Sequence, residues 1–201
     1  MQKIFLIRHG QTEWNLKGKT QGKQDSNLTE KGINDAKLLA KRLMEEHIDV
    51  IYSSTLKRAK DTAKIISDEL YMPILYDDGL VELNYGEWEG LTIEEIRAKY
   101  PEELDNWFNR PHLAIFPMGE ELQKAQERIV RTFNNIVNSN KDKNILIVGH
   151  STMIKLLLLN LLDMNLSGYN RLKQSNCALN VIGIRRDEHV LLQYNDTCYI
   201  K

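Results

Sequence analysis

Two histidines in this chain each close a short apolar run: Ile4-Phe5-Leu6-Ile7 leads into Arg8-His9-Gly10, and Ile145-Leu146-Ile147-Val148 leads into Gly149-His150-Ser151. Runs of that length, rich in Ile and Val and ending in glycine, read as buried strands of a parallel sheet. Ligands in open α/β sheets bind outside the carboxyl ends of the strands, so two strands can deliver both histidines to one site. An imidazole with a pKa near ~6.5 is roughly three quarters neutral at pH 7, and neighbouring cations raise that fraction. His9 can then offer a lone pair to phosphorus and hold a phosphoryl group covalently, which splits one hard displacement into two easier ones. Phosphate-monoester hydrolysis is among the slowest uncatalysed reactions, with accelerations reaching about 10²¹-fold, so a nucleophile alone is not enough. Arg8 and Arg58 supply two guanidinium forks for the equatorial oxygens, and a protonated His150 beside a dianion is a third donor. Backbone N–H groups at the helix start after His150 extend the same clamp.

The elements that must position these groups alternate strand and helix, with no linker, repeat or low-complexity tract. After the first strand and a polar loop, Thr29 caps a predicted helix over 29–46, with Ala36, Leu39, Ala40 and Leu43 on one face. A strand follows at 49–52, then Ser53-Ser54-Thr55 as a cap region, then a helix to about Leu70 that carries Arg58 near its start. Residues 74–76 read as a short strand and Asp78-Gly79 as a turn. From Glu82 to Gly119 the pattern is irregular and aromatic, broken by Pro101, Pro111 and Pro117 into short helical pieces that form a small cap over one end of the sheet. Order returns with a helix over 120–137, the His150 strand, a helix over 152–162 and strands near 178–184 and 190–194. The alternation predicts a three-layer α/β/α sandwich around a mostly parallel sheet.

At 201 residues and 42% hydrophobic, the chain has the size of one domain spanning 1–201. Its 27 basic and 28 acidic side chains nearly cancel, which argues against nucleic acid or an anionic membrane as a partner. The first strand begins almost at Met1, leaving no room for a signal peptide, and Leu156 to Leu159 is too short to span a bilayer, so the expectation is a cytoplasmic protein. Cys177 and Cys198 have neither metal spacing nor a nucleophile's context. No H-x-H or H-E-x-x-H spacing exists, and two arginines beside the histidines would repel a divalent cation, so neither a metal nor a cofactor is expected. No sequence signal points to a particular oligomeric state.

Four motifs in order, Arg8-His9-Gly10-x-Thr12-x-x-Asn15, Ser53-x-x-x-Lys57-Arg58-Ala59-x-x-Thr62-Ala63, Glu82-x-x-x-Gly86-x-x-Glu89-Gly90 and Gly149-His150-Ser151, resemble the histidine phosphatase superfamily, also called phosphoglycerate-mutase-like, over nearly the whole chain. The stretch from Pro111-His112-Leu113 to Gly119-Glu120 looks most like its broad-specificity phosphatase branch. The resemblance implies a metal-independent phosphatase of small phosphate monoesters, with His9 as the nucleophile and Arg8, Arg58 and His150 around the phosphate. It makes Glu82 the proton donor, a role that asks for a pKa raised toward neutrality; without the motif, a single loop Glu reads as a solvated charge. Asn15 falls where the family contacts phosphate, and Gln21, Gly22, Tyr85 and Ser151 where it contacts substrate.

Tyr85, Trp88, Trp107, Phe108, Ile115 and Phe116 are candidates for an apolar pocket wall, against the commoner reading of aromatics as core. His112 in the cap reads as structural rather than substrate-binding, and His47 and His189 as surface residues, at a helix end and in a late charged turn. Lys155 stands where many relatives carry arginine, and Glu121 where many carry serine. Alternative readings are a bisphosphoglycerate-dependent phosphoglycerate mutase, an alpha-ribazole phosphatase and a non-catalytic phosphate-binding module. Such mutases are usually longer between the Glu82-type motif and the Gly119-Glu120 segment, where an insertion carries a basic pair; here Arg110 is the only arginine after Arg97 in that interval.

Overall fold

In the computed structural model, which describes residues 1–186 and 188–200, strands β1 (Gln2–Arg8), β2 (Val50–Ser54), β3 (Ile74–Asp77), β4 (Ile145–Gly149), β5 (Leu179–Arg185) and β6 (Glu188–Asp196) form one sheet in the order β3-β2-β4-β1-β5-β6. The first four are mutually parallel, and β5 and β6 are antiparallel, so the expected mostly parallel sheet is present. Successive side chains of a strand face opposite ways, and β1 and β4 are apolar on both faces. Ile4, Leu6, Ile145 and Ile147 pack into one core, whereas Phe5, Ile7, Leu146 and Val148 pack into the other.

Helices α2 (Glu30–Leu43) and α3 (Lys57–Leu70) cover the second face, through Ala36, Leu39, Leu43, Ala59, Ala63 and Ile66. Helices α6 (Leu122–Ser139) and α7 (Ser151–Leu161) cover the first. Leu156, Leu157, Leu158 and Leu159 are all fully buried, because α7 is enclosed by the sheet, α6 and a 3-10 segment at Leu166–Arg171, which leave Asn160 as its exposed residue. The cap is built from α4 (Ile93–Lys99), α5 (Pro101–Asn109) and 3-10 turns at Gly86–Trp88 and Pro111–Leu113. No helix among the described residues is long and apolar enough to cross a membrane.

Three local expectations are corrected. Ser53 and Ser54 do not form a cap region: β2 runs through both, and each is fully buried between neighbouring strands. The polar loop after β1 contains a helical turn, α1 (Glu13–Leu16), closed by a capping box between Thr12 and Asn15. His189 lies inside β6, opposite Ile184, rather than in a turn.

Gly86 shows where the backbone demands glycine. It has φ +57°, and a Cβ there would sit 2.0 Å from the Pro117 carbonyl oxygen, so both ends of the cap close over a residue without a side chain. Leu157 is fully buried in α7, and Leu157→Ala is expected to cost about 2–5 kcal/mol. Urea unfolding should show a lower midpoint with an unchanged slope.

Candidate active site

The strand register assembles the site. Arg8 of β1 pairs with Gly149 of β4, and the His9 N–H donates to the Gly149 carbonyl at 3.0 Å, so the residues that follow both strands emerge side by side. The rings of His9 and His150 have centroids 5.3 Å apart. On the other side of β4, the end of β2 brings the Ser54 hydroxyl to 2.8 Å from His150 Nε2.

His9 is held in one tautomer. Nδ1 lies 2.8 Å from the Gly10 carbonyl, which only accepts, so Nδ1 carries the proton and Nε2 the lone pair. Arg58 Nε donates to that Nε2 at 3.2 Å. Burial, then Arg58 and Arg8, hold the His9 pKa well below the ordinary histidine value. His150 is lowered likewise, first by burial and then by Arg58, His9 and the more distant arginines. Its Nδ1 has no hydrogen-bond partner among the described residues.

Arg58 is 1% exposed, and its guanidinium is anchored on protein oxygens. Nη1 donates to the Gln24 carbonyl at 2.7 Å and to Asp25 Oδ1 at 2.8 Å, and Nη2 donates to the Gly22 carbonyl at 2.7 Å. With Nε on His9, one N–H remains, so Arg58 is not the open fork expected from the sequence; a buried cation must be satisfied by its surroundings. Asp25 also accepts from the backbone N–H of Lys57 and of Arg58. It thereby caps α3, whose own N-cap Leu56 provides no side-chain bond. Gly22 is required by this packing: its φ is +56°, and a Cβ would lie 2.0 Å from Glu89 Oε1. Arg8 is freer. Nη1 donates to the Gln174 carbonyl at 2.6 Å, and its buried Nε has no partner among the described residues. Burial lowers its pKa, with Glu82 opposing and Arg58 adding to the shift.

Glu82 is 6% exposed and sits at the start of α7. Its Oε2 accepts from the Thr152 N–H at 3.1 Å, and its Oε1 from Met153 at 3.0 Å and Leu83 at 2.9 Å. Those two helix-start donors are therefore engaged by Glu82, a correction to the expectation that they extend the anion clamp. A carboxylate at a helix N-terminus meets unpaired N–H groups and a favourable dipole, which explains the preference.

Around these groups lies a cleft of about 280 Å³. Of the ten residues singled out from the sequence, Arg8, His9, Asn15, Gln21, Gly22, Arg58, Glu82, Tyr85 and Ser151 line it. His150 does not; it is fully buried beside His9, so the structure brings it to the cluster but not to the wall. Asn15 Oδ1 accepts from Asn176 Nδ2 at 3.1 Å and from the Thr12 N–H. Gln21 accepts from the Ser26 hydroxyl at 3.2 Å.

The aromatic candidates divide. Tyr85, Trp88 and Trp107 line the cleft, while Phe116 is buried behind them with ring centroids 5.0–5.1 Å away. Phe108 and Ile115 are exposed, as is His112. His47 is exposed beside Asp49, at 3.1 Å. Sequence reasoning missed Asp25, and it missed Thr152, Tyr169 and Asn170 as wall residues. It treated Lys155 as a departure from the family rather than as part of the wall. Tyr169 lies in a 3-10 segment, Leu166–Arg171, whose sequence has no periodicity to flag it.

A parallel-rich α/β/α sandwich with this cluster at its strand ends defines an enzyme of the phosphoglycerate-mutase-like class. The profile of the histidine phosphatase superfamily (branch 1) matches residues 4–197, and the chain belongs to that family as a phosphomonoesterase. It is 34% identical over 200 residues to phosphoserine phosphatase 1 of Hydrogenobacter thermophilus, covering 100% of this chain and 95% of that one. Among solved structures, YhfR of Bacillus stearothermophilus superposes with a TM-score of 0.96 at 33% identity, covering 100% of both chains. The phosphoserine phosphatase of Entamoeba histolytica in complex with 3-phosphoglyceric acid superposes with a TM-score of 0.91 at 31% identity, again covering 100% of both.

The lowered pKa values set an expected titration. In the free protein, NMR resonances of the His9 and His150 rings should keep neutral-imidazole positions from pH 8 down to pH 6. Protonation of either ring near pH 6.5 would contradict the burial and charge argument.

Proposed function

We propose that the chain, acting as one domain, hydrolyses small phosphate monoesters through a phosphohistidine on His9. The observation that carries this reading is a buried His9 whose Nδ1 faces the Gly10 carbonyl and whose Nε2, directed at Arg58, is left with the lone pair; burial and the two arginines favour the neutral ring that a nucleophile needs. In the first step, Nε2 attacks phosphorus, the ester P–O bond breaks, and Glu82 gives its proton to the departing alkoxide. In the second, Glu82 takes a proton from water, the water oxygen attacks phosphorus, and the N–P bond breaks to release inorganic phosphate.

Substrate entry must displace the Arg58 Nε–H from His9 Nε2, and a phosphoryl oxygen is the natural new acceptor. Arg8, with most of its N–H groups unengaged, is the principal clamp. The partnerless Nδ1 of His150 supports a ligand role for that residue as well: a buried unmade hydrogen bond costs about 1–3 kcal/mol, and an anion oxygen would relieve it. The cleft, at the small end of the ~300–1,000 Å³ range of ligand pockets, suits a small ester. The names of the relatives, phosphoserine phosphatase above all, support the same substrate class.

The test is release of inorganic phosphate from a panel of small phosphomonoesters, with EDTA present. Wild-type protein should turn over in EDTA, and His9→Ala should not. Arg58→Ala should lower kcat about 10²–10³-fold, by analogy with loss of one oxyanion donor. Wild-type turnover by either variant, or isomerisation of 3-phosphoglycerate in place of phosphate release, would overturn the reading.

A further inference from the structure

Lys155 is a cation on the cleft wall that the two-step chemistry does not use. It lies on α7 four residues after Ser151, so both share one helix face, with Lys155 about 6 Å further along the axis. Its ammonium makes no hydrogen bond and no ion pair within 4 Å among the described residues; its one close partner is the ring face of Tyr169, at 4.0 Å from the centroid. Tyr169 is fixed in turn by its hydroxyl against Thr152 Oγ1, at 2.7 Å, and by its ring against Trp107, with centroids 4.6 Å apart. Asn170 donates to the carbonyls of Trp107 and Phe108, tying the same segment to α5. The ammonium is therefore held on a rigid platform with no anion against it.

An unpaired, half-buried ammonium is costly, and burial lowers the Lys155 pKa to about 8, with Glu82 partly opposing and Arg8 adding to the shift. A cation kept under those conditions on a ligand cleft has the character of a binding group rather than a solubilising one. The charge count selects the ligand. The phosphoryl end of the cleft has two guanidinium groups, whereas the Lys155 end has a single positive charge beside aromatic rings, which matches one carboxylate better than a second phosphate dianion. Both ends line one cleft of about 280 Å³, which suits a short carbon chain between the two anionic groups.

We propose that Lys155, seated over Tyr169, is the subsite for a carboxylate on the non-transferring end of the substrate, so that the enzyme selects short phosphorylated carboxylic acids over their uncharged counterparts. This rests on the reading of the His9 end as the phosphoryl site.

Two matched pairs isolate the carboxylate: 3-phosphoglycerate against glycerol 3-phosphate, and phosphoserine against phosphoethanolamine. Wild-type protein should prefer the acid of each pair at least tenfold in kcat/KM, mainly through KM. Lys155→Met should bring both ratios close to one, and Lys155→Arg should keep the preference. Equilibrium binding of 3-phosphoglycerate and glycerol 3-phosphate to His9→Ala protein, with and without Lys155→Met, reads the same preference without turnover. A wild-type preference below threefold, or a Lys155→Met change that weakens acid and neutral partner by one common factor, would overturn the proposal. The common factor would make Lys155 a support for Glu82 alone. Failure of the His9 reading shows separately, as phosphate release by His9→Ala, while the ratios and the binding difference still decide the role of Lys155.

Discussion

Arg58 holds a guanidinium charge almost wholly out of water at the end of the sheet, and much of the surrounding architecture follows from keeping it there. An isolated charge buried in protein would cost several kcal/mol, so its donors must find oxygens. The loop after α1 supplies them, through the Gly22 and Gln24 carbonyls and the Asp25 carboxylate. The same Asp25 caps α3, which carries Arg58, so loop, helix and cation are locked by one side chain. The Arg58 Nε–H falls on His9 Nε2, and burial together with the arginine charge holds the pKa of that imidazole well below the ordinary histidine value. Removing water from around this cluster strengthens every term in it.

The sheet turns that local arrangement into a site. In-register parallel pairing of β1 with β4 sets His9 beside His150, and pairing of β4 with β2 sets Ser54 behind them. Helix α7 begins directly after His150, and its first free N–H groups hold Glu82 from the cap. One helix terminus thus couples the cap to the strand ends and fixes the distance between a carboxylate and the two arginines. The burial of the leucines of α7 steadies that terminus, because the helix cannot tilt without opening the core it packs into.

Much of this was legible from the sequence because it is written locally. Apolar runs ending in Arg8-His9-Gly10 and Gly149-His150-Ser151 announce strands and their open ends, and the amphipathic face of α2 and the alternation of strand with helix announce the layers. What was not legible depends on partners distant along the chain. Asp25 looks like any loop acid until α3 is folded against it. Ser53 and Ser54 have the composition of a helix cap, yet pairing with β3 and β4 draws them into β2. The helix-start N–H groups looked available for an anion, but Glu82 reaches them from 70 and 71 residues earlier. Of six apolar cap residues, the sequence could not tell that Phe116 backs the wall while Phe108 and Ile115 face solvent, since the cap is held by tertiary contacts rather than by a repeating pattern.

The most direct test of the account is to trap the covalent intermediate. Rapid mixing with a ³²P-labelled phosphomonoester, quenching under alkaline conditions and peptide mapping should find up to one phosphoryl group per chain. The label should be acid-labile and alkali-stable, as expected of a phosphorus–nitrogen bond, and should sit on the peptide containing His9. Label on another residue, or full turnover by direct attack of water with no labelled protein at any time point, would contradict the claim that the neutral, arginine-flanked His9 is the nucleophile.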